Sequence, residues 1–269
     1  MRTLRFNQGF ALKRERLSAI IRCIAEGNAT SNDAIASYMG VNKPVAEGFR
    51  GWLCKTGLGS GTDGRYTLSP CGTIIANHDP YLQHTDTLWI LHYFLISQHQ
   101  ERAEIWYRCF NEFLLPGKKF TSAELAQYVR TCIENTPSNM QGIEKDTASL
   151  VNCYTQVENL GNLGILAKGI KENISTTDVS PPDPLIIAFI LFDSWQRRFG
   201  AVDSVRLSML VDEPESIGRT FVADYTRVRH YIGQLERIGL VTFSDTQFEP
   251  VTRRFFDEPL TLISRYYQQ

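Results

Sequence analysis

Between residues 85 and 115 the chain places Leu88, Trp89, Leu91, His92, Phe94 and Leu95, then Trp106, Tyr107, Phe110 and Phe113, in the most apolar and aromatic stretch of the sequence. The gaps are those of a 3.6-residue period, so two helices are expected, and helices this apolar must be buried on most of their surface. The remainder of the chain therefore has to wrap a helical centre. With 269 residues, 43% of them hydrophobic and 21% charged, there is enough apolar material for a real core, and 19 Gly and 11 Pro exclude collagenous and low-complexity classes. The longest apolar run, from Pro184 to Phe192, ends at Asp193, short of the roughly 18 residues a membrane helix needs. No apolar signal region opens the sequence. Six cysteines (23, 54, 71, 109, 132 and 153) form no CxxC pair and no Cys/His alternation, which points to reduced thiols in a cytoplasmic protein without a membrane partner.

The opening 70 residues read as three helices and a hairpin. Leu17, Ile20, Ile21 and Ile24 share a helical face over 14–26, and Gly27-Asn28 stops it. Ser31 or Asn32 caps a short helix through Met39, and Gly40-Val41 makes a tight turn. A helix from about Pro44 to Thr56 follows, closed by Gly57. At 100° per residue Val45, Phe49, Trp52, Leu53 and Thr56 fall on one side, with Lys43, Glu47, Arg50 and Cys54 opposite. The turn-rich stretch GSGTDGRYTLSP, with Arg65 and an alternating Tyr66-Thr67-Leu68, then suggests a short two-stranded wing. Helix, short helix, turn, helix and wing is the order of a winged helix-turn-helix, whose last helix enters the major groove of DNA. The competing reading is a small helical bundle with a solvated basic face.

Further along, FTSAELAQYVR starts a helix at a Thr121 or Ser122 cap, TPSNMQG at 136–142 reads as a loop, and another helix covers about 144–159. GNLGIL is strand-like, and 171–184, with three prolines, is the best linker candidate. Helices at about 184–199 and 203–211, a long helix from Arg219 to Ile238, and a hairpin of Leu240–Phe243 with Phe248–Val251 complete the chain. In the long helix Phe221, Tyr225, Val228, Ile232 and Leu235 share a face. The expected fold is mainly α, with winged-helix-like N-terminal and C-terminal units flanking a helical middle. The expected divisions are 1–75, 76–175 and 176–269.

Charge is unevenly spread behind a net charge of −1. Residues 1–70 carry ten Lys or Arg against five Asp or Glu, and 71–184 carry eight against thirteen. Residues 185–269 carry ten against eleven, and all ten cations are Arg, whose planar fork suits phosphate or carboxylate. The basic opening segment favours DNA as its partner. Asn42, Lys43, Arg50, Lys55 and Arg65 are the expected DNA contacts there, with Arg227, Arg237, Arg253 and Arg254 expected to track a backbone from the C-terminal unit, or to pair with nearby carboxylates.

The same residues carry a family resemblance. Gly40-Val41-Asn42-Lys43, Arg50, Trp52-Leu53 and Thr56-Gly57-Leu58 are similar to the opening of the bacterial domain-of-unknown-function family 4007. Leu68-Ser69-Pro70-Cys71-Gly72 resembles its L-T-P-x-G. Asp79-Pro80-Tyr81-Leu82 followed by Thr87-Leu88-Trp89-Ile90-Leu91-His92 resembles its D-P-Y-L and T-L-W-L-L-H. Trp106-Tyr107, Phe110-Asn111 and Phe113 resemble W-Y-x-x-F-N-x-F, and Phe120-Thr121 with Glu124-Leu125 resembles F-T-x-x-E-L. Lys145-Asp146, Leu163-Gly164, Asp193 with Trp195, and Gly218-Arg219 with Phe221 follow in the family's order. The resemblance implies a component of bacterial antiphage defence loci that replace a DNA phosphate oxygen with sulfur. Such loci also encode sulfur-transfer and ATPase proteins, the implied partners. In the Ssp version of such a system the family member is regarded as a DNA-nicking protein. Pro44 and the short polar wing depart from the family pattern.

No catalytic residue is identified from the sequence. His78, Asp79, His84, Asp86 and His92 concentrate metal-type ligands, and a nicking nuclease would use such groups to hold a divalent ion against phosphate. Their spacing matches no known ligand pattern. Asp79-Pro80 starts a turn, Asp86 sits at a helix cap and His92 lies in an aromatic helix, so a structural reading comes first and no metal is assigned. No GxSxG, P-loop or dinucleotide motif occurs. Three functions stay open: a component that contacts duplex DNA through a winged helix, a metal-dependent nicking endonuclease of the same pathway, and a scaffold whose acidic middle docks partner enzymes. A homodimer is compatible with each.

Overall fold

The structure, a computed structural model, describes residues 4–27, 31–62, 65–97, 102–133, 136–170 and 173–269. It is predominantly helical, with three small antiparallel sheets among the described residues. Helices α1 (Arg14–Ala25), α2 (Asn32–Met39) and α3 (Lys43–Lys55) precede a hairpin of β1 (Gly59–Thr62) and β2 (Arg65–Leu68), paired Gly59↔Leu68 to Thr62↔Arg65. The first two caps are as the sequence suggests: Ser31 accepts from the Ala34 amide and Gly40 closes α2 with a φ of 63°. Asn28 and residues 63 and 64 of the expected wing lie outside the described residues.

Helix α4 (Pro70–His78) leads to the apolar pair, α5 (Thr85–Ile96) and α6 (Glu104–Arg108), the latter running on into a π-helical turn at Cys109–Phe113. Trp89, Trp106 and Phe110 are fully buried, as their spacing requires. Then come β3 (Lys119–Phe120), α7 (Ser122–Cys132) with a complete Thr121/Glu124 capping box, and α8 (Pro137–Thr155). Helix α8 begins earlier than expected. Thr136 caps it by accepting from the Asn139 amide and Pro137 occupies the first turn, so TPSNMQG is helix start rather than loop.

Strands β4 (Leu166–Lys168) and β5 (Ile174–Thr176) follow, and the expected linker therefore contains a strand. β5 is the central strand of its sheet, between β3 and β4, with Ile174 and Thr176 buried; residues 171 and 172 lie outside the described set.

The last third comprises α9 (Pro184–Phe199), β6 (Ser204–Arg206), α10 (Leu207–Asp212), α11 (Ile217–Phe221), α12 (Tyr225–Arg237), β7 (Val241–Phe243), β8 (Pro250–Arg253) and α13 (Leu260–Tyr267). The single long helix expected from Arg219 is two. Val222 adopts a left-handed φ of 47° and Asp224 caps α12 by accepting from the Arg227 amide. That break turns Tyr225 out to 41% exposure, whereas Val228, Ile232 and Leu235 keep the shared buried face. Strand β8 pairs with both β6 and β7. One continuous cluster of buried side chains runs from Phe6 to Ile263.

Candidate nucleic-acid interface

Helix α3 shows why its two faces differ. Phe49, Trp52, Leu53 and Thr56 are fully buried, and Val45 is partly so. A second surface of the helix is covered as well, by the segment 4–12, which crosses it at Gly48 and Gly51. A methyl group added at Gly51 would collide with the Phe6 carbonyl, and one at Gly48 would meet Phe10 and lie 2.8 Å from the Asn7 carbonyl oxygen. Trp52 donates its indole N–H to the Phe10 carbonyl at 2.9 Å, and Phe6, Trp52 and Trp106 stack edge to face. The segment is tied at its other side to α8. Asp146 Oδ2 accepts from the Arg5 amide at 2.7 Å, and Asn7 donates to Ser149 Oγ at 2.9 Å. Asp146 is almost completely buried, and burial pushes its carboxyl up to about 6.

What remains open on α3 is a strip along Lys43, Glu47, Arg50 and Cys54. Asn42 accepts from the Val45 amide at 3.2 Å, so its side chain closes the helix start. Lys43 stands 53% exposed beside Asp33 at 3.1 Å. Arg50 lies over the Tyr66 ring at 5.2 Å and reaches Asn32 Oδ1 at 3.4 Å. Arg65 is exposed on β2. Lys55 is a correction: it is 5% exposed, donates to the Arg102 carbonyl at 3.4 Å and sits over the Phe6 ring, so covering by the 4–12 segment withdraws it from any external ligand.

The C-terminal arginines divide. Arg227 pairs with Asp178 at 2.9 Å, and Arg253 is held by Asp203 Oδ1 at 3.0 Å with further bonds to the Gly200 and Ala201 carbonyls. Arg237 and Arg254 lie on the surface, the former donating to the Gly233 carbonyl at 3.3 Å.

Four of the metal-type residues do come together, around two tyrosines of α13. His78 stacks on Tyr267 at 5.1 Å and His84 meets the same ring edge-on. Buried Asp79 accepts from the Gln83 and His84 amides and from Thr87 Oγ1 at 2.7 Å, and that hydroxyl also bonds Tyr267. Asp86 accepts from the Asp183 amide at 3.1 Å. His92 is elsewhere, fully buried, with Nδ1 2.6 Å from Tyr154 Oη and Nε2 2.9 Å from the Thr220 carbonyl. A carbonyl accepts but cannot donate, so Nε2 carries the proton and Nδ1 accepts from Tyr154. Burial lowers this imidazole's pKa to about 3, keeping it neutral. Among the described residues no three His, Cys, Asp or Glu side chains are arranged to hold a metal ion. Cys71 is buried, and burial pushes its thiol up to about 12, a poor nucleophile.

Sequence reasoning missed a polar network that joins the apolar helices to α9. Buried Tyr93 donates to Asp193 and accepts from Arg197 at 2.5 Å; Arg197 bonds Asp193 at 3.2 Å and also pairs with Glu215. The Glu215 amide donates to Asn111 Oδ1 at 2.6 Å, and Asn111, on the π-helical turn, donates to the Ile96 and Tyr107 carbonyls. The Asp193/Arg197 spacing of four was the available signal. Every charge in this network has a partner inside it, which makes it a brace.

The fold and the open strip define a predominantly helical protein whose first unit presents a helix and hairpin to solvent beside a buried aromatic centre. The chain belongs to the family described as "Protein of unknown function (DUF4007)", whose model matches residues 7–252. Its fold is similar to two crystal structures of SspB, one of them magnesium ion-bound. Each has a TM-score of 0.80 and covers 98% of this chain and 88% of the other, at 19% identity for the magnesium-bound structure and 20% for the second. At that identity the likeness is one of fold. No curated protein matches the sequence. No described helix is long and apolar enough to cross a membrane.

Proposed function

We propose that this chain is the DNA-contacting component of a bacterial phosphorothioation-linked antiphage defence system, acting in the cytoplasm with sulfur-transfer and ATPase proteins. In this reading 1–75 is a winged helix-turn-helix that places the open strip of α3 in the major groove and Arg65 on a phosphate. The middle, 76–175, braces it, and 176–269 is a second winged-helix-like unit contributing Arg237 and Arg254. The observation that carries the reading is the exposure of Lys43, with Arg50 partly open, on an α3 otherwise covered on two sides, and of Arg65 on the adjoining β2. Cations so placed can neutralise phosphates without leaving buried partners behind.

Replacing Lys43 and Arg50 by Ala is expected to weaken binding to duplex DNA and to flatten the slope of log affinity against log salt by about one unit for each lost phosphate contact. Unchanged affinity and slope in gel-shift titrations would remove α3 from the interface. A second reading, a metal-dependent DNA-nicking endonuclease of the same pathway, is favoured by the magnesium bound in one related structure. Supercoiled plasmid incubated with Mg²⁺ or Mn²⁺ separates the two. Chelator-sensitive open circles establish nicking, and a shifted but intact plasmid leaves the chemistry to partner proteins.

A further inference from the structure

Helix α12 carries a glycine that nothing inside the protein calls for. Glycine is less favourable than alanine in a helix interior, so a helical glycine is accounted for where a side chain would be in the way. At Gly48, Gly51, Gly72 and Gly218 a methyl group would collide with a carbonyl of the chain itself, and at buried Gly142 it would touch Leu4 and Arg5. At Gly233 it would meet only the tip of Arg229, at 3.8 Å, on a half-exposed surface. The middle of α12 therefore presents bare backbone outward, with no packing partner among the described residues to account for it.

The residues around this point share its face. At 100° per residue Thr226, Arg229, His230, Gly233 and Arg237 fall within a sector of about 100°, opposite the buried Val228, Ile232 and Leu235. That sector holds no carboxylate and no apolar side chain. Arg229 stands over the Phe243 ring at 3.7 Å and forms no hydrogen bond or ion pair among the described residues, so the ring orients the guanidinium and leaves its N–H donors open. Arg237 uses one donor on the Gly233 carbonyl, and His230 is exposed with only an edge-on contact to Tyr231. The carboxylates that border the sector are engaged by the chain: Asp224 accepts from the Arg227 amide, Glu236 from the Phe243 amide and Glu249 from the Tyr225 hydroxyl. Asp245, exposed on the turn between β7 and β8, has no ion pair, and its charge acts on Tyr225 at the helix start.

We infer that this face of α12 reads base edges in the major groove of duplex DNA, with Gly233 at the point of closest approach. The inference rests on the DNA reading above and adds a second reading helix to α3. Arginines without acid partners can neutralise phosphate, and a guanidinium with free donors can bond guanine O6 and N7 together. Helix α12 also runs directly into the β7–β8 hairpin, the order that sets a helix into a groove with a hairpin beside it. Bare backbone at Gly233 admits a base edge or phosphate at a distance that a side chain forbids. A protein partner would want an apolar centre, which this sector lacks, and the deep, narrow major groove of an RNA duplex does not admit a helix face.

The test uses the full chain and a pool of short DNA duplexes with a randomised centre. Gly233→Ala is expected to melt about 2 °C higher, since alanine is the better helix former, yet to bind the pool's selected duplex at least about tenfold more weakly, since its methyl group stands at the contact. Effects of opposite sign separate a lost contact from a damaged fold. Arg229→Ala and His230→Ala are each expected to select a motif relaxed at one or two positions, and an RNA duplex of the same sequence to compete at least about tenfold less well than the DNA. Unchanged affinity in Gly233→Ala, a lower melting temperature in that variant, equal competition by RNA, or no base preference selected by the native chain would each overturn the assignment to α12, and the Lys43 and Arg50 variants would still judge α3 on their own. A native chain that binds no duplex would remove this inference together with the DNA reading.

Discussion

Neutral His92, wedged between the Tyr154 hydroxyl and the Thr220 carbonyl, is a group that the folded core holds uncharged and that acid charges more readily once the core opens. Its folded pKa of about 3 lies below the ordinary 6.5, so the stability it contributes is present above 6.5 and is lost as pH falls toward 3. Between pH 7 and 4 the loss is about 3 kcal/mol. Urea titrations of the native chain and His92→Gln should diverge by that order over this range, and parallel pH profiles would refute the assignment. Asp146 has the opposite sign. Its folded pKa of about 6 exceeds the ordinary 3.8, so its contribution is present below 3.8 and lost as pH rises through 6. The Asp146→Asn variant keeps an acceptor for the Arg5 amide and should gain about 2 kcal/mol relative to the native chain from pH 4 to 7. Both residues stand in motifs that the family resemblance picked out. Their roles were not legible, because burial and partners 62 to 141 positions away have no local signature.

Helix α3 was largely legible as an element. Its apolar face, its start within a residue of Pro44 and its end near Gly57 follow from spacing and cap chemistry, whereas the capping role of Asn42 was not read from the sequence. The second, covered surface was not legible, because glycine is silent in a hydrophobic pattern and Gly48 and Gly51 mark it by what they lack. Lys55 looked like a surface cation for the same reason. Gly51→Ala should therefore cost about 1–3 kcal/mol by forcing the Phe6 backbone off the helix. Calorimetry checks this, and an unchanged melting temperature would mean that segment 4–12 yields without loss. The expected helix from Arg219 failed for a different reason. The break at Val222 puts a β-branched residue in the left-handed region, which sequence preference argues against.

At the scale of the molecule, α13 docks on α4 and α9, so the end of the chain seals the place where four candidate ligands meet. The sequence showed those residues as a cluster, and Tyr266-Tyr267 near the end gave no hint that they were its centre. Tyr267→Phe removes the bond to Thr87 and is expected to lower stability by about 1 kcal/mol in denaturant titration. Equal stability would mean that ring stacking on His78 does the holding. The helical class was legible; α4 and α13 were not expected, and neither was the sheet through 174–176, since a three-residue strand earns its pairing from partners distant in the chain.

The bond from the Arg5 amide to Asp146 spans 141 positions of sequence. During synthesis segment 4–12 and the first three helices emerge long before α8 does, so for that interval the segment lies beside α3 without the Asp146 and Ser149 anchors that tie its other side. A nascent chain of this kind cannot complete its first unit in order of emergence. The amino-terminal segment must wait for α8 before its outer side is anchored, so the first unit gains its final restraint only when the middle of the chain has been made.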